Sequence, residues 1–341
     1  MRVDCSTRNR ILSPVISGIS TPATSRASAV QDTSARDVDL HVHTLTSLCG
    51  YTSHRRLLEM TRAAGRRVVA VTDHDSASGA VAVREMAAQT GDDVLVLVGM
   101  ELTTSDQGHV VVFGRGVEEE WGWRKHDPFP THIPDHWAAI RAHPFRDRVL
   151  RNGREMEVNV PAAPPERIDA VEVWNGGDIL KKAPQLRADF HQLSWDFARE
   201  HGKVAVASSD GHRPIWIHSF FTRFEKPLTS LDGMVRQLRS GTVIPVARDE
   251  ADLDATKVRW RRRAVVEWHE TGKDWRTLAA TARYDAGEAE ALLARLQEVR
   301  SLVACGATVG EISAETGISA DEAADFALIV EEEAGFAAAR R

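Results

Sequence analysis

Cysteine is scarce. The 341 residues hold three, at Cys5, Cys49 and Cys305. They are too widely spaced for a disulfide framework or an all-cysteine zinc cluster. Long apolar runs are missing too: none approaches the ~18 residues that would span a membrane. No apolar stretch follows the first arginines, which argues against a secretory signal and for a cytoplasmic protein. Positive charge is not in excess, since the formal net charge is −6. That excludes a chain built mainly to coat nucleic acid. What is present is 43% hydrophobic residues, enough for a sizeable core, in a chain too long for one ordinary domain and short for three. Fourteen histidines stand against two tyrosines, and histidine is the commonest metal ligand.

Three regions differ in texture. In residues 1–36 eleven side chains are Ser or Thr, five are Arg, and only Asp4 and Asp32 are acidic. This composition reads as a disordered tail, with an organelle transit segment as the alternative. Over 37–250, short β-branched runs alternate with amphipathic stretches. Strands are expected at 38–43, 68–72, 94–98, 110–113, 139–143, 170–174, 204–208 and 220–224. Helices are expected between them, at 55–64, 79–90 and 186–201. That alternation predicts an α/β fold with a parallel sheet or barrel. From 251 to 341 every segment reads helical. An offset of 34 there aligns Gly272 with Gly306, Leu278 with Ile312 and Glu288 with Glu322, predicting two repeats of short helices shaped like helix-turn-helix units. Thr308 with Glu311, Ser319 with Glu322 and Asp285 with Glu288 have capping-box spacing.

The histidines are arranged. His41 and His43 flank Val42, so on a strand both imidazoles point to one face. Asp73-His74-Asp75 follows the second strand, and Glu101 follows the third. His109 opens the next, His143-Pro144 ends another, and Asp210-Gly211-His212 follows the run at 204–208. In a parallel barrel the C-terminal strand ends form one face, where active sites sit. Histidines and carboxylates gathered there form a metal-ligand set.

This order of motifs resembles the polymerase and histidinol phosphatase (PHP) domain, over roughly residues 38–246. The resemblance implies a distorted (β/α)7 TIM-like barrel followed by a small all-α region, and a phosphoesterase with two or three divalent ions (Mn, Zn or Fe). It implies one ion held by His41, His43, Glu101 and Asp210, a second by Glu101, His109 and His143, and a third by His74 and His212. Five positions after His43, where the family has an acidic residue or histidine, this chain has Leu48. Leucine cannot ligate. Cys49 beside it, or His54, is the candidate replacement, and Cys49 would favour zinc or iron over manganese. On this reading Leu48→Asp raises occupancy of the third position.

Close metals would activate water and neutralise a phosphate ester. His74, His212 and Asp210 are the expected catalytic residues, a histidine donating the proton to the leaving group if the third ion is absent. Arg146 and Arg213, following ligands directly, are expected to hold phosphate oxygens. Trp174 is a candidate substrate contact. Asp73 and Asp75 are expected to orient His74 or to cap turns. The substrate expected is a small phosphomonoester or nucleotide. An amidohydrolase-like barrel also begins with His-x-His, but the Asp73-His74 motif argues against it. Residues 301–341 carry eight acidic and two basic side chains, so the tail suits packing or oligomerisation better than DNA. Lys257-Val-Arg-Trp-Arg-Arg-Arg263 is the one nucleic-acid-like patch.

Overall fold

The computed structural model describes residues 34–119, 123–146, 149–152, 155–158, 161–181, 190–247, 258–259, 261–266, 269 and 284–339. It divides into two compact units, one ending at Lys257 and one running from Val258.

The first unit is a distorted TIM-like barrel. Its strands are β1 (Asp37–Val38), β2 (Val68–Val71), β3 (Leu95–Thr103), β4 (His109–Phe113), β5 (Ala138–Arg141), β6 (Val149–Asn152), β7 (Glu155–Val158), β8 (Ala170–Asn175), β9 (Val204–Ser208), β10 (Phe220–Phe224) and β11 (Val243–Ala247). The helices are α1 (His54–Ala63), α2 (Ser78–Thr90), α3 (Gly176–Lys181), α4 (Phe190–Glu200) and α5 (Leu231–Arg239). Six strands form a curled sheet in the order β2-β3-β4-β5-β8-β9, and β1-β10-β11 form a second sheet. Their alternation sorts the apolar side chains onto two faces. Val68, Ala70, Leu97, Val111 and Ile140 belong to one core cluster. Val69, Val71, Val96, Val110 and Val112 pack in another, with Leu57 and Leu58 of α1 and Ala80 and Val83 of α2.

The sheet is mixed, where the alternation predicts a parallel one. β4 runs antiparallel to both β3 and β5, while β2–β3, β5–β8 and β8–β9 are parallel. The cause is local. Residues 104–108 join β3 to β4 directly, too short for the crossover a parallel pair requires. Thr104 N–H and its hydroxyl both donate to the Gly108 carbonyl and close that turn. The consequence matters for the site: because β4 is reversed, His109 at its start lies at the same end as Glu101 near the end of β3. The first strand is also shorter than expected. Only Asp37–Val38 pair as β1, and Val42 forms a single bridge with Gly211. The β6–β7 hairpin and β11 were not expected.

In the second unit, α6 (Ala286–Ala304) starts at a capping box of Asp285 and Glu288, and α7 (Val309–Thr316) at one of Thr308 and Glu311. Gly317 ends α7 in the left-handed conformation, as a terminal glycine can without a Cβ clash. Ser319 Oγ accepts from Glu322 N–H at the start of α8 (Ala320–Ala339). α6 and α8, at 19 and 20 residues, are much longer than the short helices expected. The first half of the first repeat copy, around 270–283, lies outside the described residues, and its second cap, Asp285 with Glu288, opens α6. Val265, Leu292, Leu296, Val299, Ile312 and Phe326 form the core here. The basic run is turned inward: Arg259 and Arg262 pair with Asp325 at 2.8 and 2.5 Å, and Arg263 is buried. Lys257 and Trp260 lie outside the described residues. No described helix is long and apolar enough to cross a membrane.

Candidate metal centre

Two segments meet to hold the histidine pair. His43 N–H donates to the Gly211 carbonyl at 3.1 Å, and Gly211 N–H donates to the His41 carbonyl at 3.2 Å. Asp39 reinforces the junction by accepting from Ser209 N–H at 2.9 Å and His218 N–H at 2.8 Å. Burial pushes the Asp39 carboxyl up to about 6, against the lowering effect of those hydrogen bonds.

Glu101 is the hub. Its side chain is buried, on the β3 face that also carries Leu97. Oε2 lies 3.2 Å from His41 Nε2, 3.3 Å from His43 Nε2 and 3.0 Å from His74 Nδ1. Oε1 lies 3.0 Å from His109 Nδ1 and 3.3 Å from His143 Nε2. One carboxylate thus faces histidines on two sides. Asp210 adds a second: its Oδ1 is 3.6 Å from His41 Nε2, 3.4 Å from His43 Nε2 and 3.2 Å from His212 Nδ1. His143 and Asp210 both have positive φ, 22° and 49°. Such backbone is uncommon for non-glycine residues and clusters at functional sites.

The electrostatics follow from this crowding. Burial would raise Glu101, but His41 and His109 overcome it and hold the carboxyl well below its usual range. Burial opposes ionisation of Asp210 too, and Arg146, His212 and His41 overcome it. His41 is disfavoured as a cation by burial, yet Glu101, Glu172 and Asp210 raise it well above the ordinary histidine value. His74 goes the other way. Burial and the neighbouring histidines push it down to about 4 despite Glu101, so it is neutral at physiological pH.

Glu172 is the functional residue that sequence reasoning missed. It accepts from His41 Nδ1 at 2.9 Å, His143 N–H at 3.0 Å and Asn175 Nδ2 at 2.7 Å, and from the Ser208 hydroxyl. A carboxylate on the far nitrogen of a histidine fixes its tautomer and turns the other nitrogen to the metal. The signal was one acid in the apolar strand Ala-Val-Glu-Val-Trp. Asp73 and Asp75 do not ligate. Asp73 accepts from the Thr44 and Ser47 amides and hydroxyls, pinning the 44–47 turn. Asp75 accepts from Thr103 and Trp123.

Three expected substrate contacts are placed otherwise. The Arg146 guanidinium is committed to Asp178 Oδ1 at 2.5 Å, to Asp210 Oδ2 and to Asn175 Oδ1. It orients Asp210 rather than offering its donors to phosphate. A Cβ on Gly177 would come within 2.7 Å of both Asp210 Oδ2 and Arg146 Nη2, so glycine is required beside this pair. Arg213 is buried and stacks 3.8 Å over the Tyr51 ring. Trp174 follows a β-bulge after Glu172, and its ring packs edge-on to His191 and Phe220 with the α4 cluster, a core role.

At the lost ligand position the neighbouring side chains differ in direction. Leu48 is 99% exposed and points to solvent. Cys49, half-buried, turns inward, and its Sγ and nitrogens of His43, His74 and His212 all lie within 4.8 Å of one another. His54 instead meets the Thr46 hydroxyl at 3.1 Å. Two further groups, His41–His43–Glu101 and His74–Glu101–His109, meet the same spacing. The donor set fits divalent cations by a direct test. Glu101 Oε2 and Asp210 Oδ1 are buried, find no hydrogen bond of regular geometry and face only imidazole nitrogens, an arrangement of donors that suits a divalent cation.

Comparison with known proteins agrees with this donor set. The PHP domain model matches residues 39–133, and the PHP-associated model matches 189–243. No curated protein matches the sequence. Among solved structures, PsfC from Pseudomonas syringae aligns at 16% identity and TM-score 0.46, over 67% of this chain and 98% of its own. An amidohydrolase from Chromobacterium violaceum aligns at 16% and 0.34, over 61% and 97%. The lesion-specific endonuclease PfuEndoQ from Pyrococcus furiosus aligns at 13% and 0.37, over 62% and 57%. The two matched segments carry the His41–His43 pair, His74, Glu101, His109, Asp210 and His212, and over them the chain is similar to the PHP domain family, with the donor set of a metal-dependent hydrolase.

Proposed function

We propose that this protein is a metal-dependent phosphoesterase that hydrolyses small phosphomonoesters or nucleotides. The observation that carries the reading is the buried Glu101 carboxylate, with His41, His43 and His74 at one oxygen and His109 and His143 at the other. Two or three divalent ions, drawn from manganese, zinc and iron, would supply an acidified water and neutralise the phosphate charge. Glu101 bridges the two halves of that centre. Asp210 presents Oδ1 to it while Arg146 holds Oδ2. Glu172 keeps the His41 ring turned inward. His74, His109 and His212, each partly exposed, form the rim where substrate enters. A neutral His74 suits ligation better than proton donation, so with the third position empty His212 is the candidate donor to the leaving group, and with it filled His212 is a ligand.

The helical region we read as a packing or self-association module. Two arginines of its basic run, Arg259 and Arg262, are paired with Asp325 of α8, which favours packing over nucleic acid.

The test is a screen of phosphomonoesters, phosphodiesters, nucleotides and bisphosphates against the metal-loaded protein, with metal content measured in parallel. At least two ions per chain and phosphate release lost in His43→Ala and Asp210→Ala are expected. A folded protein that binds no divalent ion and hydrolyses none of these esters ends the proposal.

A further inference from the structure

The 44–52 loop places a sulfur where the family pattern has an oxygen or nitrogen. Its conformation is imposed from outside. Asp73 fixes residues 44 and 47, Ser47 N–H donates to the Thr44 carbonyl at 3.1 Å, and Gly50 N–H donates to the Ser47 carbonyl at 3.1 Å. Tyr51 N–H donates to the His212 carbonyl at 2.8 Å, tying the loop to the ligand segment opposite. The turn is tight enough that a Cβ on Gly50 would sit 1.8 Å from the Thr44 carbonyl oxygen. A loop held this way cannot exchange Leu48 for Cys49 by relaxing.

The second observation is independent of the thiol. Asp210 Oδ1, buried and without a hydrogen bond, lies 3.4 Å from His43 Nε2 and 3.2 Å from His212 Nδ1, two members of the cysteine's group. Glu101 Oε2, likewise buried and without a hydrogen bond, lies 3.0 Å from His74 Nδ1 and 3.3 Å from His43 Nε2. Two buried carboxylate oxygens that face only imidazole nitrogens, beside a thiol, form a donor set that a bound cation would complete.

Resting on the metal-dependent reading above, we infer that Cys49 is a thiolate ligand of the third metal position, with His74 and His212, and that this position selects zinc, cobalt or iron over manganese and magnesium. The sulfur is a soft donor, and soft donors favour those ions. A position with two imidazoles and a thiolate has three protein ligands, the number that leaves one site open for water or substrate. Leu48 has no part in it, because its side chain is turned to solvent.

Cobalt tests this without relying on turnover. The full chain is stripped of metal and reloaded with Co²⁺, and its near-ultraviolet spectrum and cobalt content are measured. Wild-type protein is expected to show a sulfur-to-cobalt charge-transfer band. Cys49→Ser loses the band and one cobalt per chain. At that position its affinity drops beyond the ~10–100-fold that loss of an outer hydrogen-bond partner costs. Cys49→Asp recovers the cobalt without the band and accepts manganese more readily. A measurement on wild type alone guards against a misfolded variant: cobalt tenfold above its Kd should slow iodoacetamide labelling of Cys49, mapped by peptide, by about tenfold. Full cobalt loading with no charge-transfer band, or a band that survives Cys49→Ser, overturns the inference and leaves the metal-dependent reading standing. A folded wild type that takes up no cobalt overturns both.

Discussion

Both units of this protein bury charged side chains, and they treat them differently. In the helical unit Asp325 meets Arg259 and Arg262, and Glu322 meets Arg262 and Arg295. Each acid has its base within the same bundle. In the barrel, Glu101 has five histidine nitrogens around it and, among the described residues, no arginine or lysine. Asp210 has one oxygen held by Arg146 and the other facing only histidine nitrogens. An ion pair closed on itself is scaffold, since it asks nothing of the solvent. A buried carboxylate whose neighbours are titratable ligands can instead exchange their protons for a cation from outside. The contrast separates function from architecture more sharply than counting buried charges would.

The strongest way to break it is Glu101→Gln. Removing the shared carboxylate should lower phosphate release by more than the ~100-fold ceiling typical of an outer-partner loss, together with at least one bound ion. The metal-free protein should also lose some stability, because His41 loses the carboxylate that favours its charged form. Metal analysis and calorimetry on the same sample decide this, and unchanged metal content beside a loss of stability would make Glu101 scaffold instead. Next comes Glu172→Gln, which keeps the shape but weakens the grip on His41. Metal affinity should fall ~10–100-fold with kcat recovered at saturating metal. Unchanged affinity would return Glu172 to a structural role.

The same groups set a pH dependence with a defined sign. His41 is raised above its ordinary value by Glu101, Glu172 and Asp210, against burial. In the metal-free protein its contribution to stability is therefore present below the ordinary histidine pKa and lost as pH rises through the folded value. Glu101 and Asp210 are depressed, so theirs is present above the ordinary carboxylate range and lost as pH falls. The metal-free barrel is most stable between these limits. Ligation requires neutral imidazole, so metal uptake releases protons and apparent affinity rises with pH. Titration calorimetry in buffers of different ionisation enthalpy reads the protons directly; an affinity that falls as pH rises contradicts this.

Much of the centre was legible from order alone. His41, His43, His74, Glu101, His109, His143, Asp210 and His212 sit at or near strand ends, which apolar runs mark well, and their chemistry does not depend on a side chain's exact direction. The residues that went astray depend on partners far along the chain. Arg146 reads as a phosphate clamp until Asp178, Asn175 and Asp210, 29 to 64 residues away, take its donors. Trp174 reads as a pocket residue until the bulge after Glu172 breaks the strand's alternation. The reversal of β4 was recoverable, because residues 104–108 hold no crossover, but the apolar texture of the strand hid it.

In the helical unit the informative change is Arg262→Ala. It leaves Asp325 and Glu322 short of a partner in a half-buried setting, so about 2 kcal/mol of stability should be lost, below the 3–5 of a fully buried pair. Activity per folded molecule should not move. A fall in kcat with unchanged melting would mean that the helical unit acts on the chemistry and would dissolve the contrast.

The smallest effect is expected at Leu48, where sequence and structure disagree most plainly. Read along the family pattern, Leu48→Asp restores a ligand and raises occupancy of the third position. In the folded loop the side chain is 99% exposed and directed away from the histidines, while the neighbouring Cys49 faces them. The turn that sets these directions is held by Asp73 and by the tight approach of Gly50 to the Thr44 carbonyl, and an aspartate at 48 touches neither. Leu48→Asp should therefore leave metal content unchanged and stability within about 0.5 kcal/mol, as for other surface substitutions. A gain of bound metal in this variant would mean that the loop can turn residue 48 inward, and the cysteine would then lose its claim to the position.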